Sequence, residues 1–161
     1  MPVTSIDKDA DALTMRIVFD TTAPQERLWN AYSDPRQLER FWGPPTYPAQ
    51  FTQHDFVPGG SASYVMVGPD GDESRGWWDF RRIDEPNSFE ILDGFALPDG
   101  SRNTDMPAIR MLFEFDATDT GSRLTLTAFF NSATELEELM AMGMDEGTRL
   151  AMGQIDAVLA E

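Results

Sequence analysis

The feature that most constrains this chain is a series of short strand-like segments followed by one long helical pattern. Six segments read as β-strands, at residues 49–56, 61–67, 76–83, 88–95, 109–115 and 123–130. The last two place apolar residues at every second position, which is typical of half-buried strands. The connections are short and rich in Gly, Pro, Asn and Asp, so they leave no room for the crossovers that parallel strands need. We therefore predict an antiparallel sheet.

The flanking regions complete the fold prediction. Residues 12–20 alternate as a first strand, and residues 22–42 carry two short helical patterns. From Ser132, a helix N-cap with Glu135 at the third position, apolar residues recur at steps of three and four to the end of the chain. The predicted class is α+β: a curved antiparallel sheet of six to seven strands wraps around a long C-terminal helix, and two short helices lie between strands 1 and 2.

Length and charge restrict the function. A chain of 161 residues fits one domain over residues 1–161, with residues 1–11 expected to be flexible. The net charge of −16 disfavours binding to nucleic acid or to an anionic membrane surface, and no apolar run is long enough for membrane insertion. The absence of cysteine excludes disulfides and cysteine-ligated zinc. We expect a cytoplasmic protein.

Several motifs, taken in order, resemble one superfamily. They read APQERLWNAYSDPRQLERFWGPP, FVPGGSASYVM, FRRIDEPNSFEI, GSRLTLTAFF and MGMDEGTRLAMGQIDAVLAE. This set is similar to the SRPBCC or START-like superfamily with its helix-grip fold. Within that superfamily it most resembles stand-alone proteins of the Hsp90 ATPase activator homologue 1-like type. The resemblance implies a cavity between sheet and long helix but no single reaction. Thr148 stands where such proteins usually have tryptophan, which implies extra room or polarity there.

The aromatic and methionine residues between sheet and helix are the candidates for lining a cavity. Ordinary core packing is the alternative for each of them. Gly143 and Gly147 favour a cavity, because glycine inside a helix costs about 1 kcal/mol relative to alanine. Methionines also suit a wall that repacks around variable apolar ligands. The predicted ligand-binding residues are Trp29, Phe41, Trp42, Tyr64, Met66, Trp78, Phe80, Arg82, Phe113, Met140 and Met144, with Phe41 and Trp42 closing one end.

The segment SRGWWDFRR raises two further hypotheses. Alternation places Trp78, Phe80 and Arg82 on one face, so Arg82 could meet an acidic ligand group at the cavity rim. A surface ion pair is the alternative for Arg82. Trp77 would then lie on the outer face of the sheet, either as a homodimer contact or against the side chain of Arg75.

No residue pattern assigns a catalytic group, a metal or a cofactor. His54 and Asp55 are adjacent in a strand and point to opposite faces, so they do not form an acid–base pair. The acidic loops lack the spacing of a calcium site, and the nucleotide-binding motifs are missing. The leading hypothesis is a binding protein for a small apolar molecule such as a lipid or aromatic metabolite. The alternatives are a cyclase- or hydrolase-like enzyme using the same cavity, and an Hsp90-type interaction domain, with Hsp90 itself not expected as a partner.

Overall fold

The sheet dominates the structure, a computed structural model that describes residues 3–161. Within these residues eight strands form one curved antiparallel sheet in the order β1-β2-β8-β7-β6-β5-β4-β3. The strands are β1 Val3–Asp9, β2 Thr14–Thr21, β3 Ala49–His54, β4 Ser61–Val67, β5 Glu73–Asp84, β6 Ser88–Ala96, β7 Ile109–Thr118 and β8 Gly121–Phe129. The predicted α+β class and the curved antiparallel sheet are confirmed, with one strand more than the sequence predicted.

The additional strand is β1, so the expectation of a flexible segment is wrong for residues 3–9. This strand pairs antiparallel with β2 at the edge of the sheet. Lys8 Nζ also lies 2.9 Å from a carboxylate oxygen of Asp145 on the C-terminal helical segment. The sequence VTSIDKD shows little apolar alternation; in the structure the strand pairs with β2 through its backbone, and Ile6 packs against the core. Met1 and Pro2 lie outside the described residues.

Two short helices follow β2, as predicted. They are α1 Gln25–Ser33 and α2 Pro35–Trp42. The Asp34 side chain caps α2 by accepting a hydrogen bond from the backbone N–H of Arg36, and Pro35 occupies the first helical position, where a missing N–H is harmless. Helix α1 packs against β7 and β8, and α2 packs against β3. Both helices therefore cover part of the inner face of the sheet.

The predicted long C-terminal helix is instead three short helices. They are α3 Ala133–Ala141, α4 Met144–Met152 and α5 Ile155–Leu159. The first break occurs at Gly143, whose φ of +87° lies in the left-handed region that ends helices. The Ser132 cap of α3 is present, because its hydroxyl accepts a hydrogen bond from the N–H of Glu135. Gly143 therefore serves as a helix terminator, and our inference of a helix-interior cost at this glycine is wrong.

The two halves of the inner face are filled differently. Under α1 and α2, aromatic rings pack against one another, with Trp29 and Phe115 centroids 5.1 Å apart and Phe89 and Phe113 centroids 4.4 Å apart. Helix α4 instead packs near β1 and β2 at the other side of the sheet. Smaller and more flexible side chains lie beneath it, and the space there is incompletely filled. The core therefore sits under α1 and α2, and a cavity lies beside it.

Gly143 and Gly147 provide a matched test of this geometry. A Cβ added at either position meets no heavy atom within 4 Å, but only Gly143 has a positive φ. We expect Gly143→Ala to destabilise the protein by about 1 kcal/mol, because alanine is strained in the left-handed region. Gly147→Ala should stabilise it by about 1 kcal/mol, because alanine favours the helix. Urea denaturation of both variants measures their free energies of unfolding. Equal changes of the same sign in the two variants would contradict a helix break at Gly143.

Candidate functional site

The cavity between the sheet and α4 has a volume of about 410 Å³. Within the described residues, seven of the chain's nine methionines line it: Met15, Met66, Met106, Met111, Met142, Met144 and Met152. Phe41, Tyr32, Ile109, Leu126 and Leu139 add further apolar surface. Methionine side chains are unbranched and adapt to irregular shapes. The cavity wall can therefore adapt to apolar ligands of different shapes.

Helix α4 forms one wall of the cavity through a face of small residues. Met144, Gly147, Thr148 and Ala151 line the cavity at spacings of three and four, so they share one face of the helix. Thr148 is one of these lining residues, at the position where the family resemblance implied extra room or polarity. Because Gly147 lies in the middle of this face with open space beyond its Cα, the helix leaves volume between itself and the sheet.

The mouth of the cavity lies between the β6–β7 connection and the end of α3. Asp105, Glu138 and Met142 line the cavity and are exposed to solvent. Met142 is 64% exposed, which is unusual for a large apolar side chain. An apolar molecule that enters here therefore passes an apolar side chain flanked by carboxylates.

The interior of the cavity has one polar end, built around Asp93 of β6. The Tyr64 hydroxyl donates a hydrogen bond of 3.1 Å to Oδ1 of Asp93. Tyr64 belongs to β4, two strands away, and its ring crosses β5 over Gly76. A Cβ at Gly76 would lie 2.3 Å from the Tyr64 ring. The absence of a side chain at Gly76 is therefore what lets the tyrosine reach the carboxyl group.

Two tryptophan N–H groups lie beside this pair. Trp42 Nε1 and Trp78 Nε1 are buried and have no hydrogen-bond partner among the described residues. Trp42 is close to the Tyr64 hydroxyl and Trp78 is close to Asp93, although neither reaches good hydrogen-bond geometry. The two indole rings pack edge to face, with centroids 4.7 Å apart. The polar end therefore holds more hydrogen-bond donors than it uses.

Burial controls the ionisation of this group. It raises the pKa of the Asp93 carboxyl to about 7, although the hydrogen bond from Tyr64 and the proximity of the Trp78 N–H favour the ionised form. Burial also raises the pKa of the Tyr64 hydroxyl well above its ordinary value, and the charge of Asp93 adds to this effect. Asp93 is therefore a carboxyl that exchanges a proton near neutral pH inside an apolar cavity, as acid–base catalysts do.

The structure divides the predicted site residues into three groups. Five of them line the cavity: Phe41, Trp42, Tyr64, Met66 and Met144. Four belong to the buried core outside it: Trp29, Trp78, Phe80 and Phe113. Met140 packs against that core and is partly buried, but it is not among the described residues that form the cavity wall.

Arg82 was predicted at the cavity rim, and this prediction is wrong. A β-bulge between Phe80 and Arg82 inserts one residue into β5, so the alternation reverses after Phe80. Arg82 consequently lies on the outer face, 62% exposed, with a guanidinium nitrogen 3.7 Å from a carboxylate oxygen of Glu90. The surface ion pair that the sequence left open as an alternative describes it correctly.

Trp77 lies on the outer face, as predicted, but its ring is half-buried. It covers Gly94, where a Cβ would lie 2.3 Å from the indole, and its N–H donates to the backbone oxygen of Phe95 at 3.0 Å. The guanidinium carbon of Arg102 lies 3.8 Å from the ring centroid, a cation–π contact. Arg102 is therefore its cation–π partner, and both a homodimer contact at this face and packing of Trp77 against Arg75 stay predictions.

His54 lies in the aromatic core. Its ring stacks on Phe56 with centroids 5.7 Å apart, and it also contacts Phe80. Desolvation lowers the pKa of this imidazole, while nearby carboxylates act in the opposite direction. The side chain of Asp55 instead accepts a hydrogen bond from Gln53. The His54 ring and the Asp55 carboxylate therefore contact different partners, in agreement with the reasoning from strand alternation.

Asp93 is the main residue that sequence reasoning missed. The signal was present, because Phe89, Ile91, Asp93 and Phe95 alternate in β6 and a polar residue at an inward position of a strand is unusual. Tyr32 and several methionines were missed as well, because nothing in their local pattern separates a cavity wall from a filled core. In the described part of the chain, no three His, Asp or Glu residues are grouped so that they could hold a metal ion. No helix within residues 3–161 is long and apolar enough to span a membrane.

The pKa of Asp93 predicts a pH-dependent cost of folding. Its carboxyl ionises at about 3.8 when unfolded and at about 7 when folded, so the folded state holds more protons between these values. The contribution of Asp93 to the free energy of unfolding therefore falls as the pH rises from about 3.8 to about 7, and the loss is complete above about pH 7. We expect Asp93→Asn to gain about 2 kcal/mol over wild type between about pH 5 and about pH 8. Denaturation at several pH values checks this, with the exposed Asp116→Asn as the control; a pH-independent difference would contradict it.

Comparison with known proteins places this arrangement in a family. A family model described as Activator of Hsp90 ATPase homolog 1-like protein matches residues 22–160. A crystal structure of a Mycobacterium smegmatis protein is 45% identical, covers 98% of this chain and 97% of its own, and has a TM-score of 0.91. An Arthrobacter aurescens protein solved by NMR is 43% identical over 98% of this chain and 92% of its own, with a TM-score of 0.94. No curated protein is significantly similar. Because the family model covers most of the sequence, the chain belongs to the Activator of Hsp90 ATPase homolog 1-like family.

Proposed function

We propose that this protein binds a small, largely apolar molecule in the cavity between the sheet and α4. The observation that carries the proposal is the cavity itself, about 410 Å³ in volume and lined mainly by apolar side chains, seven of them methionines. Ligand pockets in proteins have this size and this mixture of apolar wall and few polar groups. Lipids and aromatic metabolites are the classes that match such a wall.

Apolar burial supplies most of the affinity in this proposal. Removing about 300 Å² of ligand surface from water contributes about 7.5 kcal/mol. Association itself costs at least about 4 kcal/mol. An unsubstituted hydrocarbon would therefore bind weakly, and tight binding requires polar contacts at the Asp93 end of the cavity.

An enzyme that uses the same cavity is a second candidate. The observation in its favour is the pairing of Asp93, whose pKa is about 7, with the hydroxyl of Tyr64 at 3.1 Å. A carboxyl with such a pKa can donate or accept a proton near neutral pH. One carboxyl and one phenol support proton transfer, whereas a hydrolase would also need a nucleophile. We therefore place enzymatic activity second.

The remaining expectations concern partners and location. The family description mentions an activator of Hsp90, but no contact among the described residues favours a chaperone partner for this chain. The net charge of −16 argues against binding nucleic acid. The cysteine-free sequence is compatible with the cytoplasmic location that we propose.

Filling the cavity should abolish binding. The uncharged fluorescent probe N-phenyl-1-naphthylamine avoids repulsion by the acidic protein, and its emission should rise on transfer into an apolar cavity. We expect Gly147→Leu to weaken probe binding at least tenfold, because the new side chain projects from the middle of the α4 face into the open space. Fluorescence titration measures this.

The control adds the same side chain elsewhere. Ala157→Leu places a leucine on the exposed face of α5 and should leave probe affinity unchanged. Retained folding of Gly147→Leu is checked by circular dichroism and thermal melting. Equal binding by the wild type and by folded Gly147→Leu, or no binding by the wild type, would contradict the proposed function.

A further inference from the structure

We propose that the polar end of the cavity recognises a carbonyl oxygen of the ligand, with two donors: the carboxyl group of Asp93, which Tyr64 holds by a hydrogen bond, and the indole N–H of Trp42. This inference rests on the proposed function and narrows its ligand class to neutral, largely apolar ketones and related carbonyl compounds. Asp93, Tyr64 and Trp42 all line the cavity, and Trp78 lies behind them.

The arrangement of donors favours an acceptor atom on the ligand. Tyr64 donates to Oδ1 of Asp93, which leaves Oδ2 as the position for a proton. A carboxyl protonated at Oδ2 is itself a hydrogen-bond donor. Trp42 Nε1, buried and without a partner among the described residues, is a second donor at the same end of the cavity. A carbonyl oxygen has two lone pairs and can accept from both.

The indole N–H of Trp42 is a second observation, besides the Asp93 carboxyl, that favours a hydrogen-bond acceptor on the ligand. The Nε1 atom of Trp42 is buried, and this N–H has no hydrogen-bond partner within the described part of the chain. A buried donor without an acceptor costs about 1–3 kcal/mol, so native structures seldom leave one unsatisfied. An oxygen acceptor bound near Asp93 and Trp42 would satisfy at least one such donor directly.

A cationic ligand fits the same residues less well. An ammonium group needs several acceptors, whereas Asp93 is the single carboxyl at this end and its Oδ1 already accepts from Tyr64. The indole rings of Trp42 and Trp78 pack edge to face against each other instead of framing an open space between them. The acidic surface would attract cations to the mouth, but the interior offers them little compensation for lost water.

Protonation of Asp93 should be coupled to binding of the carbonyl compound. The other titratable groups that face the cavity are Tyr32, Tyr64, Asp105, Glu135 and Glu138. Since only the protonated carboxyl donates to the ligand, affinity should be highest below about pH 7 and fall up to tenfold per pH unit above it.

Three probes of nearly the same shape test the inference: benzophenone, diphenylmethane and aminodiphenylmethane. The first carries a carbonyl, the second a methylene in its place and the third an ammonium group. Calorimetric titration of the wild type at about pH 6 should show benzophenone binding at least tenfold more tightly than diphenylmethane. The preference should shrink at about pH 8.5. The infrared carbonyl stretch of bound benzophenone should move to lower frequency, as expected on accepting hydrogen bonds.

Two substitutions of Asp93 distinguish its role as a hydrogen-bond donor from its ability to gain and lose a proton. Asp93→Leu removes the carboxyl donor and leaves Trp42 Nε1 as the remaining donor, so the preference for benzophenone over diphenylmethane should fall below tenfold. Asp93→Asn keeps an N–H donor but cannot titrate, so a preference should remain and lose its pH dependence. Diphenylmethane serves as the folding control, because its binding reports an intact cavity in each variant.

The outcomes are distinct. If diphenylmethane binds the wild type as tightly as benzophenone, or aminodiphenylmethane binds most tightly, carbonyl recognition is overturned while the proposed function survives. If Asp93→Leu binds diphenylmethane normally and still prefers benzophenone tenfold, the role of Asp93 is overturned. If none of the three probes binds the wild type, the inference and the proposed function both fail.

Discussion

The inner face of the sheet must be covered, and the way in which the helices cover it determines the rest of the structure. Helices α1 and α2 bring Trp29, Tyr32 and Phe41 onto the sheet, and these rings fill one half of the concave surface. Helix α4 brings Gly147, Thr148 and Ala151 to the other half. Large rings on one side and small side chains on the other produce a rigid core next to an open volume.

Placing the Asp93 carboxyl in this cavity costs folding free energy. A carboxyl group deprived of water favours its neutral form, and the raised pKa of Asp93 measures that preference. An apolar residue at this position would avoid the cost altogether. Tyr64 could likewise be phenylalanine if packing were its whole role. Their presence together in an otherwise apolar cavity is the reason for treating this end of the cavity as functional rather than structural.

Much of the fold could be predicted from the sequence, because strands and turns leave local signals. The two-residue alternation in 109–115 and 123–130 identified strands of the sheet directly. The break at Gly143 could not be read in this way, since apolar residues on α4 resume at a helical spacing and hide the interruption. The prediction for Arg82 was wrong because one bulged residue moves every later side chain of the strand to the opposite face of the sheet. Asp93 was missed for a different reason. The alternation places it on the inner face of the sheet, but a strand position does not reveal whether neighbouring side chains fill the volume beside it.

The packing of Trp77 on Gly94 has a consequence for the opposite side of the sheet. Gly94 directly follows Asp93, and Trp77 is paired with Gly94 as Trp78 is with Asp93. The indole covers Gly94 and the Arg102 guanidinium stacks on the indole, so both pack from the outer face against the backbone next to Asp93. The ligand selectivity that we propose is therefore expected to respond to substitutions of Trp77 and Arg102, which lie on the outer face of the sheet and do not line the cavity.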